Sequence, residues 1–146
     1  MRALHALAVI TLVCASTCAS LPASATGYVF IRNQKNPTTT LNKQTIRSLF
    51  TGQTKQWGGA VVQTVVGEKD SEEFGHLAAV FGTGPNELLA KIKQEVFRGE
   101  MRRPVLAHTP SECIAAVAQY AGGIGIIPDD LVKTLPPTVT PVTVTE

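Results

Sequence analysis

The sequence predicts an α/β fold with a mainly parallel sheet flanked by helices. Two observations carry this. Short β-rich or continuously apolar runs recur at residues 28–32, 60–66 and 124–127. Between them stand segments with apolar residues at helical spacing, each opened by a capping residue or a proline. Strands alternating with helices are the signature of parallel sheets covered by their own crossover helices.

The first strand is "YVFIR", rich in aromatic and β-branched residues. "NQKNPTTT" follows as a polar loop holding Pro37 and several possible caps. "NKQTIRSLF" reads as a helix with Asn42 as N-cap and Ile46, Leu49 and Phe50 on one face, stopped by Gly52. "TGQTKQWGG" is a loop with one aromatic anchor, Trp57, beside Gly58 and Gly59. "AVVQTVV" at 60–66 is apolar enough for a strand buried on both faces.

The next stretch, "VVGEKDSEEF", runs from that strand into a helix. Asp70 with Glu73 makes a capping-box pattern, and Phe74, Leu77 and Phe81 make the apolar stripe. Pro85 opens a further helix with Leu88, Leu89, Ile92 and Val96 turned inward. "RGEMRRPVLAH" supplies a loop and a short strand. Thr109-Pro110-Ser111-Glu112 is a second capping box, opening a helix to about Tyr120. "AGGIGIIP" turns on glycine into a buried strand at 124–127, and "TVTPVTVT" alternates as an edge strand tolerant of Pro141.

The chain start is not fold. Met1-Arg2, the apolar run "ALHALAVITLVCA" and the small residues Ala23-Ser24-Ala25 read as a secretory signal peptide over 1–25. Cys14 follows Val13 and Cys18 follows Thr17, which does not suit a lipoprotein anchor. Residues 26–146 are expected as one exported domain, most naturally periplasmic, with no later membrane span. Cys113 is then the sole cysteine, so no internal disulfide is expected, and its small apolar neighbours make it a core thiol. The formal charge of +2, one less without Arg2, gives no electrostatic case for nucleic acid or an anionic membrane.

Catalytic constellations are thin. The mature chain offers His76 and His108, each with a plainer surface or loop role, and no G-x-S-x-G elbow. No cysteine or histidine spacing suits a metal, and no cofactor motif is present. The acids at 68–73 fall at a helix start, where they favour the helix dipole without any substrate. Asp129 and Asp130 read as a turn and helix cap. Arg98, Arg102 and Arg103 form either a solvated loop face or a grip for an acidic partner or oxyanion.

"LNKQTIRSLFTGQTKQWGGAVVQTVVGEKDSEEF" followed by "AAVAQYAGGIGIIPDDL" resembles the phosphate-type substrate-binding proteins of ABC transporters. It is most similar to small, single-lobe exported members of the periplasmic-binding-protein-like superfamily. The resemblance implies one α/β lobe of the type-2 class and a non-enzymatic solute-binding or accessory role. It also implies phosphate or another small oxyanion as ligand, and an ABC permease or other envelope protein as partner.

Two departures matter. Relatives carry an arginine and then a Gly-Ser-Gly-Thr-like run at the strand-to-helix turn, whereas here only Lys69 and Ser71 keep suitable chemistry. Relatives also close two lobes on the ligand. The candidate anion residues are therefore Lys69 and Ser71, with Thr39 and Thr40 from the "NPTTT" loop. Carboxylates around that turn oppose an incoming anion, each contact costing on the order of 4 kcal/mol at ~4 Å before screening. Weakened or lost anion binding is expected. The alternative is a protein-interaction module, a homodimer among its forms, with contacts at Trp57, Arg98, Arg102 and Arg103.

Overall fold

A computed structural model describes residues 27–146. The signal-peptide reading of residues 1–25, with Cys14 and Cys18, falls outside the described residues. The elements run β1 (Tyr28–Asn33), β2 (Thr40–Asn42), α1 (Lys43–Phe50), β3 (Gln56–Trp57), β4 (Ala60–Val61) and β5 (Gln63–Gly67). They continue with α2 (Glu72–Val80), α3 (Pro85–Phe97), β6 (Val105–Ala107), α4 (Pro110–Gln119), β7 (Gly123–Pro128) and β8 (Val139–Thr145). A 3-10 helix, Asp129–Thr134, follows β7, with Asp129 and Asp130 in its first turn.

Six strands form the main sheet in the order β2-β8-β1-β7-β5-β6. Pairing is parallel for β2 with β8, β5 with β7 and β5 with β6. It is antiparallel where β1 meets β7 and β8. The sheet is thus mainly parallel, with β1 as its reversed member.

Alternation along the strands sorts side chains to two faces. Phe30, Val66, Ile124, Ile126 and Val142 join Ile46, Leu49, Phe50, Phe74, Leu77, Leu88 and Ile92 in one core, under α1, α2 and α3. Ile31, Val65, Ile127 and Val139 join Cys113, Ala116 and Val117 under α4. Both faces are covered, which is why β7 and residues 65–66 of β5 are apolar without a polar alternate. At Gly125 an added Cβ would lie 2.5 Å from Cys113 Sγ, so the missing side chain is what lets α4 lie close to β7.

The helix starts are chemically explicit. Asn42 Oδ1 accepts from the Thr45 N–H at 2.7 Å, and Pro85 begins α3. Thr109 Oγ1 accepts from the Glu112 N–H at 3.2 Å. The reciprocal arm differs by one residue from a capping box, because Glu112 Oε2 takes the His108 N–H at 2.7 Å.

Three expectations are revised. The N-cap of α2 is Ser71 and not Asp70: Ser71 Oγ accepts from the Phe74 N–H at 3.2 Å. The 60–66 strand is two elements. Gly58 and Gly59, at φ 58° and 83°, turn β3 into β4 as a small hairpin, and β5 begins only at Gln63. The tail strand β8 is internal and not an edge, because Thr40–Asn42 of the presumed polar loop pairs outside it. Pro141 lies opposite Ile31 and ahead of the part of β8 that β2 covers.

Candidate functional site

Strands β5, β6 and β7 run parallel and end together at Gly67, Ala107 and Pro128. Open α/β sheets bind ligands in the crevice beyond such strand ends, where helix N-termini present free N–H groups. Here α2 and α4 start there, capped by Ser71 and Thr109.

The turn after β5 closes on itself. Ser71 Oγ donates to the Glu68 carbonyl at 2.7 Å while accepting from Phe74 N–H, and Ser71 N–H also bonds Glu68 O at 2.9 Å. One hydroxyl has a single proton to donate, so Ser71 is already committed on both sides. Lys69 Nζ lies 3.7 Å from Asp70 Oδ1 at the surface. The Glu68 carboxylate crosses to β6 and meets His108 Nδ1 at 2.6 Å. Glu72 Oε2 accepts from the Tyr28 hydroxyl at 2.7 Å, which pushes that phenol up to about 12.

What remains between the two helix starts is a hollow of about 20 Å³ lined by Gly67, Ser71, Glu73, His108, Cys113 and Ile126 among others. That is room for about one water, not for a tetrahedral oxyanion. Gly67 fits this tightness, since a Cβ there would sit 2.5 Å from Ser71 Oγ.

The structure brings Lys69 and Ser71 together at this turn and keeps Thr39 and Thr40 apart from them. Thr40 lies on β2, with β8, β1 and β7 standing between it and β5. Four strand steps at roughly 4.8 Å amount to about 19 Å. Thr39 O accepts from the Thr143 N–H at 3.0 Å and serves the β2–β8 edge.

Trp57 is 6% exposed, and its indole N–H donates to Gly122 O at 2.9 Å. Buried Asn36 donates to Trp57 O at 3.3 Å, so tryptophan, loop and glycine turn are stapled together. The arginines separate. Arg98 lies 3.7 Å from Glu95 at the end of α3. Arg102 lines a hollow of about 160 Å³ with Lys55, Glu100 and Val61, while Arg103 lines a larger groove with Lys69 and Lys93.

Cys113 is a buried thiol. Its Sγ lies 3.7 Å from Ile126 O, and burial pushes its pKa up to about 12. A thiol so far from ionised at neutral pH is a poor nucleophile. His76 stacks on Tyr28 at 4.7 Å, and His108 is held by Glu68. Among the described residues no group of three metal-ligating side chains converges, and no helix is long and apolar enough to cross a membrane.

Sequence reasoning located this turn but missed the Glu68–His108 bridge, which joins residues forty positions apart. It also missed the large groove, whose lining comes from β5, α2, α3 and β6. The sequence signal for that groove was the off-stripe Phe97 at the end of α3, which is 93% exposed.

No family model matches the chain, and no curated protein matches it in sequence. Solved structures do match its fold. PstS from Borrelia burgdorferi superposes with a TM-score of 0.62 at 15% identity, over 83% of this chain and 48% of that one. An ABC-type phosphate transport receptor from Vibrio cholerae gives 0.61 at 14% identity, over 82% and 47%. A protein from Clostridium perfringens, described as a phosphate ABC transporter substrate-binding protein with bound phosphate, gives 0.64 at 19% identity, over 82% and 45%. The likeness shows an α/β fold shared with part of each of these proteins, and the chain spans less than half of their length.

Proposed function

We propose that the chain is an exported, non-enzymatic lobe of the phosphate-receptor type whose anion position is filled by its own helix cap. The supporting observation is the double engagement of Ser71 Oγ, with Glu68 O at 2.7 Å and Phe74 N at 3.2 Å, beside a hollow of only about 20 Å³. An oxyanion entering there must displace that cap and approach Glu68, Asp70, Glu72 and Glu73 with Lys69 as the neighbouring cation. Solo capture of phosphate is therefore weak or lost. The role that fits is an accessory or partner-assisted solute-binding component, with a small oxyanion as the solute class and an ABC permease or other envelope protein as partner. If an anion is held, Lys69 supplies charge and the Ser71 turn supplies a hydroxyl and N–H groups. Thr39 and Thr40 contribute only from a distinct place on the lobe.

A second reading is a protein-interaction module, including a homodimer. It is favoured by the exposed Val61, Phe97 and Leu106. Arg98, Arg102 and Arg103 would be its polar contacts.

Thermal unfolding with millimolar phosphate, sulfate and molybdate against chloride tests the first reading. A ligand at 100 times its dissociation constant adds roughly 2.7 kcal/mol, a clear rise in midpoint. No rise is expected with any anion. A selective rise would overturn the blocked-site reading, and mass that increases with concentration would favour the second.

A further inference from the structure

A groove of about 740 Å³ lies between α3 and the edge strand β6, apart from the small hollow at the strand ends. Its size falls within the range typical of small-molecule sites. Its floor is apolar: Val66, Phe74 and Ile92 are buried, and Leu89 and Val96 half-buried. Its walls are exposed, with Phe97 at 93% and Leu106 at 52%. Apolar side chains this open to water gain by being covered.

The polar members of the lining have one dominant sign. Lys69, Lys93 and Arg103 are cationic, against Glu68 alone. Glu68 already meets His108 and Lys69 lies near Asp70, while neither Lys93 nor Arg103 pairs with a carboxylate among the described residues.

We propose that this groove binds a small amphipathic carboxylate: an apolar chain lying over Phe74, Leu89, Ile92 and Phe97, with its head group at Lys93 and Arg103. Charge complementarity selects this occupant. A bare inorganic oxyanion would leave the apolar floor wet. A second copy docked through the same groove would bring three cations and only Glu68 to meet Lys93 and Arg103, since a two-fold contact repeats one patch on both sides. The inference is independent of the oxyanion reading and shares with it only Lys69 among the candidate anion residues.

The test is calorimetric titration of the protein with decanoate below its micelle concentration. Decyltrimethylammonium, with the same tail and opposite charge, and inorganic phosphate, with charge and no tail, are the comparators. Saturable one-to-one binding of decanoate is expected, unaffected by phosphate. Phe97→Ala should weaken it several-fold with the fold intact, since Phe97 touches little of the core. Lys93→Glu with Arg103→Glu should weaken decanoate by roughly tenfold or more and let the cationic amphiphile bind instead. Equal binding of both amphiphiles by the wild type, competition by phosphate, or affinity unchanged in both variants would overturn the proposal. So would self-association abolished by Phe97→Ala, which would assign the groove to a second copy.

Discussion

Ser71 closes the turn after β5 on Glu68, donating its hydroxyl to the Glu68 carbonyl at 2.7 Å while it caps α2 through the Phe74 N–H. The same side chain ends the approach to the helix start and stabilises the helix. Ser71→Ala should therefore cost about 1 kcal/mol, as loss of an N-cap does. Asp70→Asn, at an exposed residue outside the helix, should change stability by less than about 0.5 kcal/mol. Chemical denaturation of the two variants separates them, and a reversed order would return the cap to Asp70.

The Gly125–Cys113 approach predicts overpacking. Gly125→Ala places a methyl 2.5 Å from Cys113 Sγ, and the expected loss is about 1–3 kcal/mol. Combining it with Cys113→Ala should recover part of that loss, because the colliding sulfur is gone. A double-mutant cycle measures the coupling, which should be non-additive in the stabilising direction.

Trp57→Phe keeps an aromatic ring in the core but strips one of two donors from Gly122 O. Gly122 O keeps the Gln63 N–H at 2.9 Å, so the loss is that of one hydrogen bond, about 1 kcal/mol. Denaturation midpoints should fall accordingly, and Asn36→Ala should fall too, since it frees Trp57 O at the other end of the staple.

Cys113 should resist thiol reagents. With its pKa pushed to about 12, native labelling at pH 8 should run on the order of a thousandfold or more below labelling in denaturant. Rapid native modification would contradict its burial against Ile126 and Val117.

The Tyr28–Glu72 bond predicts a late phenol. Folding holds Tyr28 at about 12 against 10 for a free tyrosine, chiefly through the bond to Glu72, so the folded state favours the protonated form. Its contribution is complete below about pH 10 and fades as pH rises through 12. Ultraviolet titration should show a late tyrosine, moved back toward 10 in Glu72→Ala, and alkaline unfolding should begin at lower pH in that variant.

Most of the fold was legible because burial and capping leave local marks. The apolar strand at 124–127, Asn42, Pro85 and Thr109 each state their role within a few residues. The α2 cap misled by one position because Asp70 has Glu73 three residues on, while Ser71 has only Phe74. Burial of Phe74, Leu77 and Ala78 fixes the register that makes Ser71 the cap. The place of β8 was hidden for another reason. Alternation reads the same on an edge strand and on one whose neighbour is the three-residue β2. The candidate site was visible only as a loss of expected anion-binding residues. Its closure depends on Glu68 reaching His108, and the adjacent groove on α3 standing off β6, neither of which any local pattern encodes.

The most direct test of the central claim is calorimetric titration of the protein with inorganic phosphate, in the wild type and in Ser71→Gly. Gly removes the hydroxyl that caps α2 and lines the hollow. A blocked anion position predicts no saturable heat in the wild type up to millimolar phosphate, with any weak binding confined to the variant. Saturable micromolar binding by the wild type, lost in Lys69→Ala, would contradict it.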